Sequence, residues 1–351
     1  MSKGREKTEH APGPETATDA PIDIGRRRAI AALAAGAAAA SPLAHAATLF
    51  LPGPAPGAKS APPRPVVAIG RRPGLVSATG ALEAKLLESG LGASVARAAG
   101  EKTPVAAMRR LFKPSDVVGI KVNTLGGRGV STRPEVPLQL ATWLQAAGVP
   151  ADHIFIWDRT DRELRAAGYT LSASGVRVFG TNDAWGELVD WGPSASRFAR
   201  VLEQDLTAVI SCAILKDHYL AGVTLSMKNW FGVVHNPNKM HEDGCNPFVA
   251  ALSTHKAIRG KLRLNVVDGS VGQCNGGPSR APRWAWPFSG FLASTDPVAI
   301  DAVGWRLLEA QRKAVGLPTL AAERREPRYI AEAARLGLGS ADLARIEELE
   351  V

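Results

Sequence analysis

From residue 66 onward, short apolar runs rich in Val and Ile alternate with longer stretches in which apolar residues recur every three or four positions. The short runs are Val66 to Ile69, Val117 to Val122, Ile154 to Trp157, Val176 to Phe179, Ala208 to Leu215 and Leu262 to Val267. Their length and β-branched content predict strands. Between them, Leu82 to Leu87, Val105 to Phe112, Val136 to Ala147 and Phe248 to Ile258 carry helical spacing. Pro104, Pro134 and Pro297 stand where a first helical turn accepts a ring without losing a needed N–H. Regular alternation of this kind predicts an α/β fold, a mainly parallel twisted sheet with helices on both faces. After about residue 312 the pattern changes. Tyr329 to Leu336 and Ala341 to Leu349 read as short helices, so residues 313–351 form a small C-terminal helical cap on a domain spanning 66–312. Residues 269–290, rich in Gly, Pro and Trp, predict a long irregular loop.

The pattern fails before residue 66. Residues 1–24 are polar and Pro-rich. Gly25-Arg26-Arg27-Arg28 then precedes an Ala-rich run, Ala29 to Ala40, too short to span a bilayer. Ala44-His45-Ala46 supplies the small-x-small pattern of a signal-peptidase site. Paired arginines before a weakly apolar region predict a twin-arginine signal over residues 1–46, and so an exported, periplasmic protein that engages the twin-arginine machinery. The prolines of residues 47–65 make a linker that cannot be helical. No transmembrane span is expected in the mature chain.

Charge narrows the partners. The chain has 42 Lys and Arg against 33 Asp and Glu, a formal charge of +9. No lysine tract or nucleic-acid-binding motif accompanies this surplus, so nucleic acid is not expected, and an acidic small molecule or an anionic envelope surface is. Three scattered cysteines, Cys212, Cys245 and Cys274, cannot supply an iron–sulfur cluster. Cys212 lies within a strand and reads as core. The sequence leaves open whether Cys245 and Cys274 bridge.

Candidate chemistry gathers where strands end, because ligands of open parallel sheets bind beyond the carboxyl ends of strands. Lys121 and Asn123 lie two apart at the end of one run, Asp158 follows another, Lys216, Asp217 and His218 a third, and Asp268 a fourth. Between Lys216 and His241 the chain holds three lysines (Lys216, Lys228, Lys239) and three histidines, with Asp217 as the only carboxylate of the segment.

 Cations and imidazoles converging without counter-charges point to an anionic or metal-bound ligand. The alternative is a set of solvated lysines flanking one buried strand. Within Met227-Lys228-Asn229-Trp230-Phe231-Gly232 a second lysine–amide pair can hold an anion or polarise a carbonyl. His218, His235 and His241 form a candidate metal set for a divalent cation, and His218 or His241 is equally a candidate acid/base, with Lys228 as electrostatic stabiliser. Asp296 reads as a helix cap before Pro297. Asp301, surrounded by apolar neighbours, needs a partner, and a site lysine would serve.

These residues carry a resemblance. Gly119-Ile120-Lys121-Val122-Asn123, Lys216-Asp217-His218, the block Gly222 to Gly232, Lys239, His241, Val267-Asp268-Gly269, Gly276-Gly277-Pro278 and Asp296 to Asp301 resemble the DUF362 family over roughly residues 115–305. The family has no assigned function. What the resemblance implies is a shared site of Lys121, Asn123, Lys216, His218, Lys228, Asn229, Lys239, His241, Asp268, Asp296 and Asp301. Many relatives carry ferredoxin-type cysteine clusters, which this chain lacks, so no electron-transfer role is carried over from them and a redox accessory role ranks behind the two readings that follow. Two functions stay open: an enzyme acting on an anionic or carbonyl-bearing small molecule, and a non-catalytic protein that binds or delivers a ligand, metal or cofactor.

Overall fold

The computed structural model describes residues 64–351. The segment read as a signal peptide and nearly all of the linker lie outside the described residues. Twelve strands occur among those described: β1 Val66–Arg71, β2 Val118–Val122, β3 Ile154–Asp158, β4 Arg177–Gly180, β5 Trp185–Asp190, β6 Ala195–Ala199, β7 Ala208–His218, β8 Gly222–Thr224, β9 Leu262–Gln273, β10 Ala285–Trp286, β11 Gly290–Ser294 and β12 Glu347–Glu350. Eight helices accompany them: α1 Ala84–Ala98, α2 Pro104–Leu111, α3 Glu135–Ala146, α4 Asp161–Ala167, α5 Phe248–Thr254, α6 Lys256–Arg259, α7 Pro297–Ala314 and α8 Tyr329–Arg335.

The main sheet runs β12-β1-β11-β9-β7-β2-β3-β4, with β10 on β9 and β8 on β7. From β9 to β4 its neighbours are parallel, while β11 is antiparallel to both β9 and β1. β7 lies at the centre and is buried along all its length. Its residues alternate between two cores: Ala208, Ile210 and Cys212 join the helices α1 to α4, whereas Val209, Ala213 and Leu215 join α5, α7 and α8. Burial on both faces is why the run reads as continuously apolar rather than alternating.

All six predicted strands form, several with longer ends. The irregular loop expected over 269–290 is partly strand, because β9 continues through Asp268 to Gln273 and pairs with β10 and β11. The C-terminal cap is helical only at α8. The stretch Ala341 to Leu349, read as a helix, instead forms a 3-10 turn at Leu343–Arg345 and the edge strand β12, parallel to β1. Backbone pairing with an otherwise open sheet edge overrides the local helical spacing. All three cysteines are free and buried, with Cys212 in the core as its position in the strand implied. No helix among the described residues is long and apolar enough to cross a membrane.

Candidate functional site

Strand order reverses between β2 and β7. From β2 the chain steps outward to β3 and β4, and from β7 it proceeds the other way to β9. Such a reversal opens a crevice at the carboxyl ends of the two strands, since their connections leave in opposite directions. A cavity of about 580 Å³ lies there, lined by Lys121 and Asn123 from the end of β2, Asp158 from β3, and Lys216 and His218 from β7. The fourth wall is the 3-10 turn Lys228–Val233 with His241.

Lys121 is not a free cation. Its Nζ lies 2.6 Å from Asp158 Oδ1, both groups being buried, and 3.3 Å from Asn229 Oδ1. Asp158 also accepts from the N–H and hydroxyl of Thr124 and from the N–H of Arg159. Asn229 completes the unit by donating to the Lys121 carbonyl at 2.9 Å. A buried charge pair with its remaining lone pairs satisfied is the arrangement burial tolerates. Gly232 packs directly on this pair: a Cβ there would fall 2.7 Å from Lys121 Nζ and 2.8 Å from Asp158 Oδ1.

Lys216 and Lys228 differ. Lys216 donates to the carbonyls of Val130 and Pro278 at 3.0 and 3.3 Å. Lys228 lies 3.7 Å above the Phe231 ring and 3.4 Å from His241 Nε2. Among the described residues neither forms an ion pair with a carboxylate. Burial pulls Lys216 down to about 7, with the neighbouring Lys228 charge adding to the effect against Asp217 and Asp158. Burial likewise brings Lys228 to about 8. Desolvation penalises the charged form of an ammonium that has no carboxylate within ion-pairing distance.

The two histidines of the cavity have opposite roles. The N–H groups of Leu220 and Ala221 donate to His218 Nδ1 at 3.1 and 3.2 Å. That lone pair is therefore occupied, and the ring proton resides on Nε2. Burial, followed by the charges of Lys228 and His241, drives the His218 pKa far below its usual value. His218 thus presents a neutral Nε2–H donor to the cavity. At His241 the geometry inverts: Nδ1 lies 3.0 Å from the Pro237 carbonyl and 3.3 Å from that of Asn238. Carbonyls only accept, so Nδ1 carries the proton and Nε2 keeps its lone pair, facing Lys228. Burial and Lys228 lower the His241 pKa, partly offset by those carbonyls. The rings stack 5.6 Å apart.

The local chain explains this placement. β7 turns into β8 through Tyr219-Leu220-Ala221, with Gly222 at φ 78°, a left-handed position that closes three-residue hairpins. His218 caps the N–H groups that the hairpin leaves over. Behind it, Asp217 accepts from Gly277 N–H at 2.7 Å and pairs with Arg325 at 2.8 Å, anchoring the strand end to the C-terminal segment.

Other expected site residues lie elsewhere. Asp268 is in mid-strand, accepting from the N–H groups of Arg133 and Ser270 at 3.0 and 2.9 Å, and does not line the cavity. Asp301 finds its partner in the N–H groups of Ser226 and Met227, at 2.8 and 3.1 Å, rather than in a lysine. It thereby fixes the turn that presents Lys228, while burial pushes its pKa up to about 8. Asp296 is the helix cap expected, accepting from Val298 and Ala299. Lys239 is exposed and donates to the Ala195 carbonyl. His235 is exposed against Trp185, away from the other two histidines, so the three do not converge on a metal. No cluster of three or more potential His, Cys, Asp or Glu ligands occurs among the described residues. Sequence reasoning missed Thr224, which lines the cavity opposite Lys216 in the β7–β8 ladder with a buried, unpartnered hydroxyl. Its signal was its place in the Gly222 to Gly232 block. The Asn123 Oδ1 is likewise unpartnered.

Fold and site together define a mixed α/β protein with a lysine- and histidine-lined crevice at the point where strand order reverses. The chain belongs to the DUF362 family, a domain of unknown function whose model matches residues 118–306, more than half of the sequence. Nothing among curated proteins matches it. A solved Thermotoga maritima protein, a structural-genomics target, is 11% identical over 53% of this chain and 50% of its own, with a TM-score of 0.35. This chain therefore spans about half the length of that protein.

Proposed function

We propose that the protein binds an anionic small molecule in this cavity. The observation that carries the reading is the pair of buried lysines, Lys216 and Lys228, with no carboxylate partner. A bound anion supplies the missing counter-charge and restores both ammonium groups, and charge-assisted hydrogen bonds of this type are about twice as strong as neutral ones. Thr224 and the Nε2–H of His218 add uncharged donors. Lys121, paired to Asp158, serves as scaffold.

A catalytic role is favoured over simple ligand delivery by one feature, the lone pair of His241 Nε2, 3.4 Å from Lys228 Nζ. An imidazole lone pair beside an ammonium can take a proton from a bound substrate while the cation stabilises the resulting negative charge. Export to the periplasm by the twin-arginine machinery is part of the same proposal and rests on Arg26, Arg27 and the Ala44-His45-Ala46 site.

The binding reading is tested by calorimetry and thermal shift across inorganic phosphate, sulfate and simple carboxylates, together with native mass spectrometry of protein from its own compartment. Saturable binding that is lost in Lys216→Met or Lys228→Met supports it; absence of any shift or bound mass overturns it. For catalysis, the recovered ligand is followed by proton NMR with wild type and His241→Gln. Conversion by the first alone supports the acid/base role, and unchanged ligand in both leaves a delivery protein. Replacing Arg26 and Arg27 with Lys should retain the protein in the cytoplasmic fraction.

A further inference from the structure

The cavity is polar within, and its exposed lining includes two large apolar side chains beside Arg159 and Asn238. These are Leu125 and Tyr219, 57% and 60% exposed, which with Leu188 are the three most exposed large hydrophobic side chains among the described residues. Neither belongs to a frayed segment. Leu125 follows Thr124, whose N–H and hydroxyl are held by Asp158, and the Tyr219 N–H donates to the Gly277 carbonyl at 2.9 Å. Tyr219 stacks on His218 with ring centroids 5.3 Å apart and 10° between planes, and His218 stacks on His241 in turn. This row of stacked rings links the exposed Tyr219 to His241, whose Nε2 lies 3.4 Å from Lys228. A volume of about 580 Å³ also far exceeds what a bare inorganic anion fills and falls within the usual range of ~300–1,000 Å³ for organic ligands.

We infer that the ligand is an amphiphilic organic anion, bound with its charged group at Lys216, Lys228 and Thr224 and with an apolar or aromatic body between Leu125 and Tyr219. The inference rests on the anion-binding reading and adds the class of molecule. Exposed apolar side chains that line a concave polar site gain by covering with apolar ligand surface, at ~25 cal/mol per Å² removed from water.

The test compares inorganic phosphate with phenyl phosphate by calorimetry, on wild type and on Leu125→Asn/Tyr219→Asn. Both substitutions lie at exposed positions and leave the core intact. Phenyl phosphate should bind at least tenfold more tightly to wild type. The double variant should lose that advantage while keeping its affinity for inorganic phosphate. Equal affinities in wild type, or a preference that survives in the double variant, overturn the inference and leave anion binding standing. Failure of both phosphates to bind removes the anion reading and this inference with it. Sedimentation of the ligand-free protein should show a monomer; a dimer that the double variant dissociates assigns the two side chains to a subunit interface instead.

Discussion

Lys216 and Lys228 make the site's charge conditional on pH and ligand. Their pKa values, about 7 and 8, lie below those of the same groups in the unfolded chain, near 10.4. Between those limits the two lysines bind more protons in the unfolded chain and contribute stability that rises with pH, while Asp301, raised to about 8, contributes with the opposite sign, so the net gain of the ligand-free protein should appear between about pH 8 and 9. Anion affinity should move oppositely, highest below pH 7 and falling as the ammonium groups lose their protons. Thermal melts with and without phosphate across that range check both signs. Lys216→Met should flatten the ligand-free profile and lower anion affinity by about 10–100-fold, the ~1.5–3 kcal/mol of a hydrogen bond to a charged group. His218→Gln and His241→Gln should also differ. The first removes the cap on Leu220 and Ala221 and should cost stability; the second should leave stability nearly unchanged.

At the scale of elements, two carboxylates that resemble site residues hold the walls in place. Asp301 ties α7 to the turn that carries Lys228. Asp301→Ala leaves two buried N–H groups unsatisfied, about 1–3 kcal/mol each, and should weaken anion binding through a displaced Lys228. Asp158→Ala strands the buried Lys121 ammonium, and the cost should be about 3–5 kcal/mol by chemical denaturation. Gly232→Ala should fall in the same class, because its methyl meets the Lys121–Asp158 pair. These three variants separate positioning from binding: stability falls first, and any residual folded protein retains Lys216.

Across the whole molecule, the C-terminal segment closes the fold on both sides. β12 covers the free edge of β1, and Arg325 reaches Asp217 beside the site. Arg325→Ala leaves the fully buried Asp217 unpaired and should destabilise by about 2–5 kcal/mol while reducing anion affinity. Deleting residues 347–351 exposes the edge of β1 and should promote association, read by light scattering.

The sequence by itself determined the alternation of strands and helices, the mainly parallel sheet and the strand ends that meet at the cavity. Lys121, Asn123, Asp158, Lys216 and His218 were legible because a strand fixes which face and which end a residue occupies. Tertiary structure decided the rest. It paired Lys121 with Asp158, gave Asp268 and Asp301 to backbone N–H groups, moved His235 and Lys239 out of the site and turned Ala341 to Leu349 into a turn and an edge strand. It also set the proton on Nε2 of His218 and on Nδ1 of His241. Each of these depends on a partner distant in sequence, and local pattern carries no information about which distant group will arrive. The lack of an ion-pairing carboxylate at Lys216 and Lys228 among the described residues, from which the proposed function follows, is such a property.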